Sequence, residues 1–333
     1  MSLFRTNIQV PNYSFRIDHT APVFSMGSCF AEHMAQRLEE CKIPQLLNPF
    51  GILYNPYSIA NALQLLMENK TFTQKDLFEH QGLWHSWEHH GHFSQTTANA
   101  SLAKINRAFA AGRAFLLQSK VLIITLDTAH VFEHKEHKKI VANCHKIPTS
   151  HFSRRRLTVS TIQTHLQRAF TAIKSQIPDI QIITTVSPVR HLRDGLLENQ
   201  RSKATLLLAL AGLEEALDFV HYFPAYELLM DDLRDYRFYE QDMIHPSSLA
   251  VDYIWGHFQN AFFDTITHDL NKQIKKVVTA SRHRPFHEHS PQHQAFLKAQ
   301  LVKIEALQKE YPHLDFSKEQ TLFTKQLIKN PES

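Results

Sequence analysis

Only three of the 333 residues are cysteine: Cys29, Cys41 and Cys144. Their number is odd and their spacing forms no framework, which argues against a secreted disulfide scaffold. No stretch reaches the ~18 consecutive apolar residues of a membrane-spanning helix. The N-terminus, "MSLFRTNIQVPNYSFRIDHT", lacks the basic start and apolar run of a signal peptide. Internal repeats and low-complexity linkers are also missing. A cytoplasmic location and no membrane partner are therefore expected. Charge of one sign is scarce too, with a net charge of +4. The one tight arginine cluster, "HFSRRRL" (151–157), has no aromatic interleaving, so it reads as a solvated face and no nucleic-acid partner is expected.

What is present is 43% hydrophobic and 20% charged, the balance of a soluble globular chain. The length suffices for a sheet covered on both faces. Four short runs, "PVFSMG" (22–27), "KVLIITL" (120–126), "IQIITTV" (180–186) and "LDFVHYF" (217–223), are apolar on both faces, as buried parallel strands are. Helical patterns at 30–41, 56–68, 98–118, 157–176 and 197–216 alternate with them. That alternation predicts a doubly wound α/β domain, whose site lies beyond the C-terminal ends of the strands. A further helix is predicted over 247–268. From about residue 270 the chain becomes polar, basic and helical. The predicted organisation is thus a core domain over 1–269 and a C-terminal helical extension over 270–333, two helices of which lean on the core.

Gly27, Ser28 and Cys29 follow the first strand directly, and a helix follows them. Glycine permits a sharp turn, and the amides at a helix N-terminus can stabilise a thiolate or a developing oxyanion. The plain alternative is a turn of small residues with a buried cysteine. Much later, Asp242 and His245 stand two residues apart, just before the 247–268 helix. A catalytic histidine needs a carboxylate to fix its tautomer. A turn-capping aspartate beside a surface histidine is the plain reading, unsurprising in a chain with 23 histidines.

In combination these motifs resemble the GSCFA-domain family, which is grouped with the SGNH (GDSL-type) hydrolases and takes its name from the pentapeptide seen at 27–31. "NPFGILYNP" (48–56), "WHSWEHH" (84–90), "VANCHKIP" (141–148), "TVSPVRHLRDG" (185–195), "YFPAYELLMDDLRDYRFY" (222–239) and "DMIHPS" (242–247) match that family's pattern across roughly residues 20–260. The resemblance implies an SGNH-hydrolase-like, flavodoxin-like three-layer sandwich. It also implies an esterase or acyltransferase working through an acyl-enzyme on Cys29 or Ser28, with His245 moving the proton and Asp242 orienting it. Laid on Gly-Asp-Ser, Cys29 takes the nucleophile's place; a one-residue shift gives it to Ser28. Gly51 fits the second block as an oxyanion donor. The third block, Gly-x-Asn-Asp in the family, reads Asp127-Thr128-Ala129-His130 here. Asn143 or Asn48 is left to supply the missing amide, and Asn143 reads equally well as a turn residue. The implied chemistry needs no cofactor and takes a small-molecule or carbohydrate ester. The alternative is a non-catalytic carbohydrate- or anion-binding protein on the same fold.

Two further groups sit near predicted strand ends. His85, His89, His90 and His92 with Glu88 are metal-ligand types. Alternation along a strand over 84–88 would scatter them over both faces, so a polar rim is expected and no metal; the histidines of 282–293 read the same way. Arg190, His191 and Arg237 are candidate substrate-binding residues, since an arginine can fork onto a carboxylate or phosphate. Their alternative is an Arg–Asp network joining "RHLRD" to "DDLRD".

Overall fold

The computed structural model describes residues 6–327. The chain runs β1 (Val23–Gly27), α1 (Cys29–Glu40), β2 (Gln45–Leu47), α2 (Pro56–Glu68), β3 (Phe78–His80), β4 (Leu83–His85) and α3 (Ala98–Gln118). It continues through β5 (Val121–Leu126), β6 (His130–His134), β7 (Lys139–Val141), β8 (Phe152–Arg156), α4 (Val159–Gln176), β9 (Gln181–Val186), α5 (Gly195–Ala216) and β10 (Val220–Tyr222). After a short turn of helix, α6 (Ala225–Glu227), come α7 (Ser248–Phe262), α8 (Thr265–Ser281), α9 (Pro291–Glu310) and α10 (Ser317–Gln326).

The four predicted apolar runs form β1, β5, β9 and β10, and β2 adds an edge. They make one parallel sheet in the order β10-β9-β5-β1-β2. Counted along the chain, that is 2-1-3-4-5, with the winding direction reversing between β1 and β5. Alternation sorts the core into two halves. Phe24 and Met26 of β1, with Leu122 and Ile124 of β5, pack under α2, α4 and α5 through Leu63, Leu166, Phe170 and Leu210. Val23, Val121, Ile123 and Ile183 pack on the other face against Phe30 and Met34 of α1 and Ile254 and Phe258 of α7. A side chain of this size, fully buried, stabilises the fold by roughly 1.5–3 kcal/mol, so both faces of the sheet are needed. The result is the expected three-layer α/β arrangement. A hairpin (β3–β4) and a three-stranded antiparallel sheet (β7-β6-β8) are appended to it.

The helix predicted over 247–268 is two helices. The Asp264 side chain accepts the Thr267 N–H at 2.7 Å and starts α8, so the C-terminal helices begin before residue 270. α8–α10 share a separate core of Leu270, Ile274, Leu297, Ile304 and Phe323. Polar ties join them to the main domain: Lys42 to Glu319 at 2.7 Å, Arg282 to Glu40 at 2.7 Å, and His19 Nε2 to Asn271 Oδ1 at 2.9 Å. The last strand is shorter than predicted, and the strand expected over 84–88 ends at His85. The extreme ends of the two predicted segments, 1–5 and 328–333, lie outside the described residues. Among the described residues, no helix is long and apolar enough to cross a membrane.

Candidate active site

β1 and β5 lie closest where the winding reverses. Gly27 has φ +153°, and a Cβ there would stand 2.3 Å from the Thr125 carbonyl oxygen, so only glycine lets the strands approach this far. The Ser28 N–H continues the ladder to the Thr125 oxygen at 3.3 Å. The Ser28 side chain is fully buried, and its hydroxyl has no partner. Cys29 opens α1 and is half-buried. Exposure therefore distinguishes the two candidate nucleophiles in favour of Cys29. Burial pushes the Cys29 thiol up to about 11, and the carboxylates of Asp127 and Glu32 push the same way. The helix N-terminus does not overcome them, so the resting group is the protonated thiol.

Three candidates for the oxyanion amide are placed differently. The Gly51 N–H is already donated to the Asn48 carbonyl at 2.7 Å. Gly51 has φ +77°, and a Cβ there would meet the His90 Cβ at 2.4 Å, so its glycine serves the turn. Asn143 Oδ1 accepts the His145 N–H at 2.8 Å, which is the turn role. Asn48 Oδ1 accepts the Gly27 N–H at 2.8 Å. Because a donor faces that oxygen, the amide orientation is fixed, and Nδ2 is left buried without a partner. Asn48 thus carries an unused donor beside the Gly27 turn.

Asp242 and His245 meet in the loop before α7, with Nδ1 2.7 Å from Oδ2. Asp242 Oδ1 also accepts the N–H groups of Ile244 and His245 at 2.8 and 3.0 Å. The bond to His245 and those two N–H groups hold its carboxyl down at about 2. Both side chains are open to solvent, at 43% for His245 and 46% for Asp242. His245 lies near His33, one turn along α1 from Cys29; burial first, then Arg37 and His245, lower the His33 pKa. Among the described residues, no hydrogen bond joins His245 to Ser28 or Cys29.

A second cluster joins His191, a candidate from the sequence, to Asp127 and Lys203, whose partnership the sequence did not show. Asp127, the first residue after β5, places Oδ1 2.9 Å from Lys203 Nζ on α5, and both side chains are 1% exposed. Lys203 Nζ also donates to the Ser187 carbonyl, just past β9, at 2.8 Å. The other oxygen of Asp127 accepts His191 Nε2–H. Burial opposes the Asp127 carboxylate, yet Lys203 and His191 outweigh it and hold the group at about 2. The Asp127 and Thr128 N–H groups bond the Tyr54 carbonyl at 2.9 and 3.1 Å. The Tyr54 ring stands edge-on to His191, with centroids 6.0 Å apart. In the sequence Asp127 looked only like a departure from the third block. Nothing in "SKATLLLALAG" distinguished Lys203 from a helix-surface lysine.

Arg190 packs on the rings of Tyr239 and Tyr236, 4.3 and 5.2 Å from their centroids. It lines a cavity of 420 Å³ with Gln200, Tyr226, Met230 and Tyr239. Arg237 is exposed and pairs locally with Asp235 at 3.0 Å. Asp194 pairs with Arg154. The Arg–Asp network considered between the two segments is therefore replaced by arginine–tyrosine packing. The histidines of 85–92 do not gather at one point: His90 and His92 bring their Nδ1 atoms within 3.4 Å, but His85 bonds Ser94 Oγ at 2.7 Å and His89 stacks on Phe50 at 4.7 Å. Among the described residues, a set spaced to hold a cation lies instead in the β6–β7 turn, where ligand atoms of His134, Glu136 and His137 lie within 4.8 Å of one another.

A parallel 2-1-3-4-5 sheet whose polar side chains gather at the switch point defines an α/β protein of the doubly wound class. The model of the GSCFA family matches residues 22–258, and that of the GSCFA domain protein C-terminal domain matches 274–329. The chain belongs to the GSCFA family. No curated protein and no solved structure matches it.

Proposed function

We propose that this chain is an SGNH-like acyl-transfer enzyme, an esterase or acyltransferase, that forms an acyl-enzyme on Cys29. One observation carries the reading: Cys29 is the half-buried first residue of α1, at the switch point of the sheet, while Ser28 is fully buried. In the step proposed, the Cys29 sulfur bonds to the ester carbonyl carbon and its proton passes to His245 Nε2. Asp242 on Nδ1 keeps the imidazole in the accepting tautomer. The Cys29 N–H, unsatisfied within the first turn of α1, and Asn48 Nδ2 meet the charge that develops on the carbonyl oxygen. The tetrahedral adduct collapses, and the departing alkoxide takes the proton from His245. Water or a second alcohol then reverses the sequence. Because the thiol rests protonated, this mechanism depends on general base catalysis.

The substrate in this reading is a small-molecule or carbohydrate ester. Tyrosine faces and the polar groups of Arg190 and Gln200 around the 420 Å³ cavity suit a polyhydroxylated ligand. Three unpaired thiols are in keeping with a reducing compartment, and the cytoplasm is part of the reading. A second reading, a non-catalytic carbohydrate- or anion-binding protein, is favoured by one observation: His245 is not hydrogen-bonded to either nucleophile candidate. A short-chain nitrophenyl ester decides between them. Cys29→Ala should abolish its hydrolysis, while Ser28→Ala, which removes only a buried and unpaired hydroxyl, retains activity. The opposite pattern moves the nucleophile to Ser28. Full activity in both variants, or none in the wild type with this ester or with fluorophosphonate and iodoacetamide probes, would leave the binding reading.

A further inference from the structure

Besides Asp242–His245, the structure holds a second histidine–carboxylate pair, Asp127–His191, which differs from the first in the burial of its carboxylate. Gly27 is in register with Thr125, and Thr125 with Thr185. Two residues further along each strand stand Cys29, Asp127 and Ser187. Cys29 has by then entered α1, and the Asp127 carboxylate is near enough to act on its thiol. Lys203 ties Asp127 to the Ser187 carbonyl from above. His191, four residues past Ser187, is fastened to Asp127 through Nε2 and through its backbone N–H to Asn199 Oδ1 at 2.9 Å. A carboxylate can only accept, so Nε2 carries the hydrogen and Nδ1 is the basic nitrogen. The ring is one-third exposed while its carboxylate is 1% exposed.

That is the arrangement a proton-transfer pair requires: a buried, charged carboxylate orienting a histidine whose ring stays one-third exposed. The Asp242–His245 pair has the same chemistry but stands in solvent, where a carboxylate orients and supports an imidazolium less well. We infer that His191, oriented by Asp127 and clamped by Lys203, is a second proton-transfer group of this site, exchanging the proton of Cys29 at Nδ1. The inference rests on the acyl-transfer reading for Cys29 and adds a residue to it.

The groups around His191 are Asp127 from β5, Lys203 from α5 and Tyr54 from the segment after β2, with Cys29 and Glu32 of α1 next to Tyr54. Arg190 and Arg193 on its own loop are occupied by the rings of Tyr239 and Phe132. Lys203 and Asp127 form a buried ion pair beside it.

The test is alkylation of Cys29 in the full chain by iodoacetamide, followed by peptide mass spectrometry from pH 5 to 10. In that reaction the sulfur–carbon bond forms, iodide leaves, and the thiol proton goes to the acceptor. The wild type should react with an inflection near neutrality. His191→Gln should slow alkylation at pH 7 by at least tenfold, leaving the slower reaction that His245 supports. Added imidazole should restore the rate in His191→Ala, which a merely structural role would not allow. If His191→Gln keeps the wild-type rate and inflection, the second pair is refuted while the thiol reading stands. A wild type inert at neutral pH removes the thiol reading and the pair with it.

Discussion

Lys203 Nζ and Asp127 Oδ1 are 2.9 Å apart, and each side chain is 1% exposed. Two charges removed from water so completely are held by each other and by the Ser187 carbonyl and His191. Losing one partner leaves the other buried and unpaired, at a cost of about 3–5 kcal/mol. Lys203→Met should therefore lower the unfolding free energy of the full chain, read from urea unfolding, by that much. Adding Asp127→Asn should recover most of the loss, because the stranded charge is gone. Burial lowers the Lys203 pKa while Asp127 opposes the shift. A Lys203→Met variant as stable as wild type would mean that the folded chain holds the pair as neutral amine and acid.

Asp242 has two duties that one substitution can separate. Oδ1 holds the N–H groups of Ile244 and His245, and Oδ2 faces His245 Nδ1. Asparagine keeps the first duty through its carbonyl oxygen and turns an NH₂ toward Nδ1, forcing the wrong tautomer. Asp242→Asn is thus expected to fold with an unchanged melting temperature. Turnover of a nitrophenyl ester should fall by orders of magnitude, up to about 10⁴-fold where such a carboxylate is essential, with little change in KM. Wild-type turnover would make Asp242 a loop-holding residue and would leave His191 as the histidine to pursue.

The parts of this site that the sequence revealed are those whose residues are neighbours along the chain. Gly27, Ser28 and Cys29 are contiguous, and Asp242 and His245 share one loop, so spacing singled them out and the family resemblance implied their roles. Asp127 and Lys203 are 76 positions apart, and no local pattern marks either as a partner. Asn48 and Asn143 were indistinguishable as amides; only the backbone donors opposite them, from Gly27 and His145, decide which is committed to a turn. The strands were legible because each is apolar on both faces. β2 was not, because three residues, Gln45–Leu47, at the sheet edge carry too short a pattern. The break between α7 and α8 was hidden because apolar periodicity runs through it, although Asp264 is a regular helix cap.

Several histidines are buried in neutral form, and this gives the fold a definite acid sensitivity. Burial, with nearby histidines adding, lowers His89 to about 3. Burial lowers His145 to about 4, although a bond to the Ser86 carbonyl opposes it. Both titrate near 6.5 once unfolded. Between those values the unfolded chain binds protons that the folded chain refuses, so stability falls as pH drops from about 6.5 toward 4. Each such group steepens the fall by up to about 1.4 kcal/mol per pH unit. Urea midpoints should decline steadily over that window. His89→Phe, which can keep the stacking on Phe50, should make the decline shallower. A midpoint independent of pH from 7 to 4.5 would contradict the neutral burial of these rings.

The C-terminal helices supply structure and no group that the proposed chemistry needs. α8–α10 have their own core and are tied to the main domain by Lys42–Glu319, whose side chains are only 9% and 8% exposed, and by His19–Asn271. A chain ending at residue 264 frees Lys42 and His19 to bind water, so those polar ties cost little when lost. What is lost is the cover that α8 lays beside α1, and exposed apolar patches promote association. Such a chain should still alkylate Cys29 at neutral pH, with a lower urea midpoint or lower solubility than the full chain. His293 is buried and bonds Gln326 at 3.1 Å, within the extension itself, which leaves it no role at Cys29. If the shortened chain stays soluble and equally stable yet its Cys29 no longer reacts, the extension shapes the site, and the histidines between 283 and 293 become the first residues to replace.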